Sequence, residues 1–111
     1  MDCEIRDEGG VAIVALTGDV DLETSPRVRG ALLDCVGAKR SVLVDMSGVS
    51  YIDSSGVASL VEAYQTARKS NTKFGLVQVS EAAMRVLELA RLDRVFAIHS
   101  TLADGLKDVG G

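Results

Sequence analysis

Short apolar runs and longer stretches with helical spacing follow one another along the chain. The runs are rich in β-branched residues and carry little polar alternation, which predicts strands buried on both faces. They cover residues 11–16, 41–46, 74–79 and 95–98, and a less regular run at residues 3–6 predicts an edge strand that turns at Gly9-Gly10. Apolar positions at i, i+3, i+4 and i+7 predict amphipathic helices at residues 26–37, 57–69, 80–90 and 101–109.

The resulting order is β-β-α-β-α-β-α-β-α. Strands that alternate with helices predict an α/β fold with a mixed, mostly parallel central sheet, joined by right-handed crossovers. We expect about five strands and about four helices, with the first strand antiparallel at an edge. The sequence of 111 residues shows no linker and no internal repeat, so we predict one domain over residues 1–111.

Several helix ends carry recognisable signals. Thr24 precedes Ser25-Pro26, which predicts a hydroxyl N-cap followed by proline in the first turn. Gly37 is placed to end that helix, and Asn71 is placed to take the left-handed position after the next one. Ser80 is predicted to cap the third helix.

Composition narrows the function classes. Hydrophobic residues make up 47% and charged residues 25%, which is typical of a soluble globular domain. The net charge of −4 argues against nucleic-acid and anionic-membrane partners. No signal peptide and no apolar stretch of bilayer length is evident, so we expect a cytoplasmic protein. Cys3 and Cys35 have no disulfide or zinc spacing.

No cofactor, metal or enzyme motif stands out. The chain lacks a phosphate-binding loop and a dinucleotide fingerprint, and its acids are scattered. We therefore expect no cofactor, no metal and no enzymatic activity. Two alternatives need testing: a hydrolase that pairs Ser54 with His99, and a receiver domain with Asp45 as phosphate acceptor.

Polar residues concentrate in two predicted loops. One is Thr17-Gly18-Asp19-Val20-Asp21 after a strand, and the other is Asp53-Ser54-Ser55-Gly56 before a helix. In a parallel sheet both loops can lie at the carboxyl end of the strands, where functional sites collect. Residues 53–55 could simply cap the helix. Three capping residues exceed what one cap needs, however, and a hydroxyl at a helix N-terminus can carry a phosphate.

The sequence here resembles the STAS domains of anti-sigma factor antagonists. The resemblance runs over about residues 5–106, and its most specific parts are VLVDMSGVSYIDSSG at residues 42–56 and LTGDVD at residues 16–21. It implies that Ser54 is phosphorylated and that Asp21 belongs to the partner surface. The complete partner-binding set that we predict is Asp19, Asp21, Asp53, Ser54, Ser55, Gly56 and Ser59.

The resemblance also implies a partner-switching function. Unmodified, the protein would bind an anti-sigma factor with serine kinase activity and release a sigma factor; a serine phosphatase would reset the switch. We expect a monomer or weak dimer. The alternative is a STAS subunit of an ABC-type lipid-transport ATPase or of a stress-sensing complex, and a third option is an interaction module that is never phosphorylated.

Three positions depart from the family pattern. Glu81 stands where proline often follows the serine, and Ala90-Arg91 replaces a common glycine. Gly105 stands where alanine is usual, which predicts a terminal helix weaker by about 1 kcal/mol.

Overall fold

The computed structural model describes residues 1–110, which form one five-stranded sheet with four α-helices. The elements in chain order are β1 (Asp2–Glu8), β2 (Val11–Val20), α1 (Ser25–Gly37), β3 (Val42–Ile52), α2 (Ser54–Lys69), β4 (Phe74–Val77), α3 (Glu81–Leu89), β5 (Ala97–His99) and α4 (Leu102–Gly110). The strands lie in the order β1-β2-β3-β4-β5. β1 pairs antiparallel with β2, and the remaining neighbours are parallel. The predicted α/β class and mixed sheet are confirmed.

Helices cover both faces of the sheet, which explains the continuous apolar runs of the central strands. Successive residues of β2 point to opposite faces, so Val14 joins the core under α1, α2 and α3, while Ile13 joins the smaller core under α4. The α4 core also contains Leu43, Val77 and Val109.

β2 and β3 continue further than the sequence predicts, and this shapes the candidate site. The strands predicted to end at residues 16 and 46 instead run to Val20 and Ile52, and their extensions pair with each other beyond β4. The ladder shifts register twice on the way, and Gly18 takes a φ of +86° there, a conformation that glycine adopts without cost. A Cβ on Gly48 would lie 2.5 Å from Thr17 Cγ2, so only glycine fits beside that side chain.

Some predicted helix and strand ends are confirmed and others are wrong. Ser80 caps α3 by accepting the Ala83 N–H at 3.2 Å, and Asn71 has a left-handed φ of +59°. Thr24 stands at the N-cap of α1, but its side chain makes no capping hydrogen bond. The predicted end of α1 at Gly37 is confirmed, and the left-handed conformation follows at Lys39, with φ +60°.

The last strand is shorter and later than predicted. It spans Ala97–His99 instead of residues 95–98, because a single 3-10 turn at Leu92–Arg94 carries the chain back towards the sheet. Arg91, at φ +59°, makes the left-handed step into that turn where the family pattern has glycine.

Gly105 lies where α4 packs against the sheet. The residue is buried, and a Cβ there would lie 2.6 Å from Val77 Cγ1 and 3.1 Å from Leu43 Cδ1. Glycine therefore lets α4 approach the sheet closely, and the lower helix propensity of this position stays a prediction.

Candidate functional site

The start of α2 is organised by the Asp53 side chain. Its Oδ1 accepts hydrogen bonds from the backbone N–H of Ser55 at 3.0 Å and of Gly56 at 3.1 Å, and from the Ser55 hydroxyl at 2.6 Å. These bonds, led by the one from the Ser55 hydroxyl, hold the pKa of the Asp53 carboxyl below its usual range, although partial desolvation opposes them. Asp53 is therefore the N-cap, and it is ionised at neutral pH.

The three serines of this region have different environments. Ser54 is exposed and is the first residue of α2. The Ser55 hydroxyl donates to Asp53, and the Ser59 hydroxyl donates to the Ser55 carbonyl at 3.1 Å. Among them, Ser54 is the one whose hydroxyl is displayed to solvent. Ser59 is only 5% exposed, and its side chain faces α1, where the hydroxyl lies 3.4 Å from the Ser25 carbonyl. Its side chain therefore contributes to the contact between the two helices.

Gly56 holds the helix start close to the sheet. A Cβ at this position would lie 2.8 Å from both Ile52 Cγ1 and Val20 Cγ1. The Asp53 N–H donates to the Val20 carbonyl at 3.1 Å, which joins the start of α2 to the end of β2. Gly56 is buried, and its lack of a side chain lets the first turn of α2 lie against the ends of β2 and β3.

The turn after β2 lies beside the start of α2. Asp21 Oδ1 accepts the N–H groups of Glu23 and Thr24, both at 3.1 Å, and the Thr24 hydroxyl at 3.1 Å. Asp21 is half-buried, and its carboxylate closes the turn before α1. Asp19 is exposed, and its Oδ1 accepts the Ser50 hydroxyl at 2.8 Å across the β2–β3 extension.

Two exposed apolar residues at this edge escaped the sequence reasoning. Leu22 is 75% exposed within the turn, and its backbone N–H contributes to lowering the pKa of Asp53. Tyr51 is 51% exposed near the end of β3, in register with Asp19. In the sequence each is an apolar residue next to one of the two polar segments, with Leu22 directly after residues 17–21 and Tyr51 two residues before Asp53. Hydropathy alone does not distinguish an exposed apolar side chain from one in the core.

A shallow groove of about 270 Å³ adjoins the site between α1 and α2. Ser25 and Ser55 line its end near the site, and Arg29 and Glu62 line its far side. The Arg29 guanidinium contacts the Glu62 carboxylate at 2.7 Å, and this hydrogen-bonded pair lowers the pKa of Glu62. The exposed surface around Ser54 therefore continues along both helices.

Comparison with known proteins identifies the family. The sequence pattern of the STAS domain matches residues 2–105. The chain belongs to the STAS domain family, in the group of the anti-sigma factor antagonists. It is 32% identical over 108 residues to the anti-sigma-F factor antagonist RsfB of Mycobacterium tuberculosis, a match that covers 96% of this chain and 88% of RsfB.

Solved structures show the same fold. An anti-sigma factor antagonist from Mycobacterium paratuberculosis superposes with a TM-score of 0.90 at 30% identity, covering 99% of this chain and 94% of the other. The phosphorylated form of SpoIIAA from Bacillus gives a TM-score of 0.76 at 14% identity, covering 97% of this chain and 99% of that one. At 14% identity, the similarity to SpoIIAA shows a shared fold and nothing further.

The structure does not bring together the residues of the two alternative sites considered above, the hydrolase pair and the receiver-domain phosphate site. His99 lies under α4, with Nε2 3.3 Å from Asp108 Oδ2, whereas Ser54 begins a helix on the opposite face of the sheet. Asp45 Oδ1 accepts the Ser47 N–H, and Asp19 lies further along the β2–β3 extension, opposite Tyr51. The hydrolase pair and the acidic group of a receiver domain are therefore not brought together.

Other chemical groups give no competing site. Burial raises the pKa of the Cys3 and Cys35 thiols, which keeps both protonated. Within residues 1–110, metal-ligating side chains do not gather in groups of three or more. Over the same residues, every helix is too short or too polar to span a membrane.

Proposed function

We propose that this protein is a phosphorylation-controlled switch that binds an anti-sigma factor. In its unmodified form it binds an anti-sigma factor that is also a serine kinase, and the sigma factor is released. Phosphorylation of Ser54 by that kinase ends the binding, and a serine phosphatase restores it. The family membership supports an anti-sigma factor as the partner.

The observation that carries the phosphorylation site is the exposed position of Ser54 at the first turn of α2. Its neighbour Ser55 is held by Asp53 at 2.6 Å and is only half-exposed, so a kinase meets Ser54 first. The positive end of the helix dipole favours a phosphate at this place.

The chemistry needs only a hydroxyl from this chain. The Ser54 oxygen attacks the γ-phosphorus of ATP bound to the kinase, the bond to the bridging oxygen breaks, and ADP leaves. The hydroxyl proton passes to a base of the kinase, which also provides Mg²⁺. Because the partner holds the nucleotide, this proposal gives the protein itself no enzymatic role.

The phosphate would break the interface by its charge. It adds about −1.5 to −2 charges next to the ionised Asp53 and near Asp21. A charge buried without a partner at an interface costs on the order of 2–5 kcal/mol, which is roughly 30- to several-thousand-fold in affinity. No rearrangement of the domain is then needed to stop binding.

The test begins with a pull-down from the native cytosol on immobilised Ser54→Ala and Ser54→Asp proteins. We expect the Ser54→Ala protein to retain a kinase-type anti-sigma factor that the Ser54→Asp protein loses. The retained protein, made as a recombinant, should phosphorylate the wild type and Ser55→Ala but not Ser54→Ala, as read by mass spectrometry. Ser55→Ala is the matched control because it changes the adjacent hydroxyl only.

Two results would refute the proposal. A phosphate located on Ser55 or Thr17 would show that the site is wrong. Equal retention of the kinase by Ser54→Ala and Ser54→Asp would show that charge at this position does not control binding. Retention of an ABC-type ATPase in place of a kinase would favour the transport-subunit alternative.

A further inference from the structure

Leu22 is displayed on the surface in a way that the fold itself does not require. Its side chain is 75% exposed, and it follows the half-buried Asp21 at the tip of the turn between β2 and α1. Burying a leucine normally stabilises a fold, and single exposed leucines are common. Exposure alone therefore does not indicate that Leu22 binds a partner. The evidence for a binding role lies in the rigidity of the turn and in the charges around it.

The turn that carries Leu22 is tightly fixed. The Asp21 carbonyl accepts the N–H groups of Thr24 at 3.2 Å and Ser25 at 2.8 Å. The Thr24 hydroxyl accepts the Asp21 N–H at 2.9 Å and shares its one proton between the Asp19 carbonyl, at 3.0 Å, and Asp21 Oδ1, at 3.1 Å. Asp21 Oδ1 also accepts the N–H groups of Glu23 and Thr24. A side chain presented on such a turn loses little conformational entropy when a partner covers it. An apolar side chain held in this way contributes to binding when a partner's pocket encloses it and excludes water.

Leu22 and Ser54 belong to two segments that a backbone hydrogen bond joins. The Asp53 N–H donates to the Val20 carbonyl at 3.1 Å; Leu22 follows Val20 by two residues, and Ser54 follows Asp53 directly. A protein surface that covers the turn at Leu22 therefore lies close to the start of α2. This relation explains how a phosphate on Ser54 would reach an interface that Leu22 anchors.

The surroundings of Leu22 are acidic. Asp19 and Glu23 are exposed on the same segment, and Asp21 and Asp53 are half-exposed beside them. Basic residues are absent from residues 17–25 and from residues 47–56. An apolar side chain within an acidic rim is complementary to an apolar pocket bordered by lysine or arginine.

We propose that Leu22 is the apolar anchor of this surface, and that its occupant is a protein with an apolar pocket rimmed by basic residues. The inference rests on the proposed function, because it takes that occupant to be the anti-sigma factor. Burial of Leu22 slows dissociation of the complex, and the acidic rim speeds association with a basic partner. Tyr51, exposed on the adjoining end of β3, extends the apolar contact.

The test measures binding kinetics with the recombinant protein retained in the pull-down described above. Leu22→Ala is compared with Leu89→Ala, which removes an equally exposed leucine (83%) at the end of α3. We expect Leu22→Ala to weaken binding roughly 10- to 100-fold through faster dissociation, and Leu89→Ala to change it less than about twofold. Glu23→Gln should slow association and reduce its salt dependence. Because both leucines are exposed, both variants should fold as the wild type does, which circular dichroism checks.

The outcomes separate this inference from the proposed function. If Leu22→Ala binds within twofold of the wild type while Ser54→Asp loses binding, the anchor is refuted and the switch stands. If Leu22→Ala loses binding while Ser54→Asp keeps it, the switch is refuted and the anchor stands. If Leu89→Ala is as weak as Leu22→Ala, the effect is not local and the anchor is refuted. If the wild type and Ser54→Ala retain no protein, both fall.

Discussion

The Asp53 carboxylate and the Ser55 hydroxyl are joined by a hydrogen bond of 2.6 Å at the start of α2. Because of this bond, the adjacent residues Ser54 and Ser55 have different environments. Ser55 supports the helix cap, and Ser54 keeps its hydroxyl at the surface. The sequence motif of an aspartate followed by two serines is thus both a cap and a candidate modification site.

Asp53 should make stability depend on acid pH. Its pKa is lowered in the folded state relative to about 3.9 in the unfolded chain. Its ionised form therefore stabilises the fold fully above about pH 5, and this contribution is lost as pH falls through the lower, folded value. Asp53→Asn keeps a capping side chain but cannot titrate.

The measurement is urea unfolding of the wild type and of Asp53→Asn from pH 3 to pH 7. The difference in their free energies of unfolding should be constant above about pH 5 and should shrink below about pH 4. A difference that stays the same down to pH 3 would contradict the role given to the Asp53 carboxylate.

Ser54→Asp should leave the fold intact. An acidic residue in the first turn interacts favourably with the helix dipole by about 0.3–1 kcal/mol, and repulsion from the ionised Asp53 offsets part of this. We expect the free energy of unfolding to stay within about 1 kcal/mol of the wild type. Chemical denaturation followed by circular dichroism tests it. A clearly unfolded variant would mean that loss of partner binding by Ser54→Asp reports misfolding.

Gly56→Ala should destabilise the protein although alanine is the better helix former. The added methyl would lie 2.8 Å from Val20 Cγ1 and 3.0 Å from the Val20 carbonyl oxygen, where backbone has no room to move. We expect a loss of about 1–3 kcal/mol. Gly30→Ala in α1 is the matched control, since nothing lies within 4 Å of its added Cβ. That change should stabilise by about 0.5–1 kcal/mol. Equal effects of the two changes in urea unfolding would contradict the close approach of α2.

Gly105→Ala should also destabilise, contrary to helix propensity. Its methyl would lie 2.6 Å from Cγ1 of Val77, a buried and stiff β-branched side chain. We expect a net loss of about 1–3 kcal/mol, even after the helix gains about 1 kcal/mol of propensity. Thermal unfolding measures this, and a higher melting temperature would show that α4 can shift without cost.

Local patterns were sufficient for the elements whose signal is local. The apolar runs around Ile13, Leu43 and Leu76 predicted strands because burial on both faces forces a continuous apolar sequence. Asp53, Ser80 and Asn71 were readable because caps and left-handed positions depend on one side chain and its own backbone. The run Asp53-Ser54-Ser55 also located the candidate site at the start of α2.

What the tertiary structure decided depends on contacts between distant segments. The extension of β2 and β3 brings Gly48 beside Thr17, so the turn signals there were misleading, and α4 packs with Gly105 beside Val77, a contact that helix propensity does not take into account. Likewise, the sequence determined that hydroxyls and carboxylates gather at residues 53–55, but the close approach of Gly56 to Val20 placed them beside the turn that follows β2. Exposure of Ser54 and Leu22 is a property of the assembled surface, because a side chain's access to solvent depends on every segment folded against it.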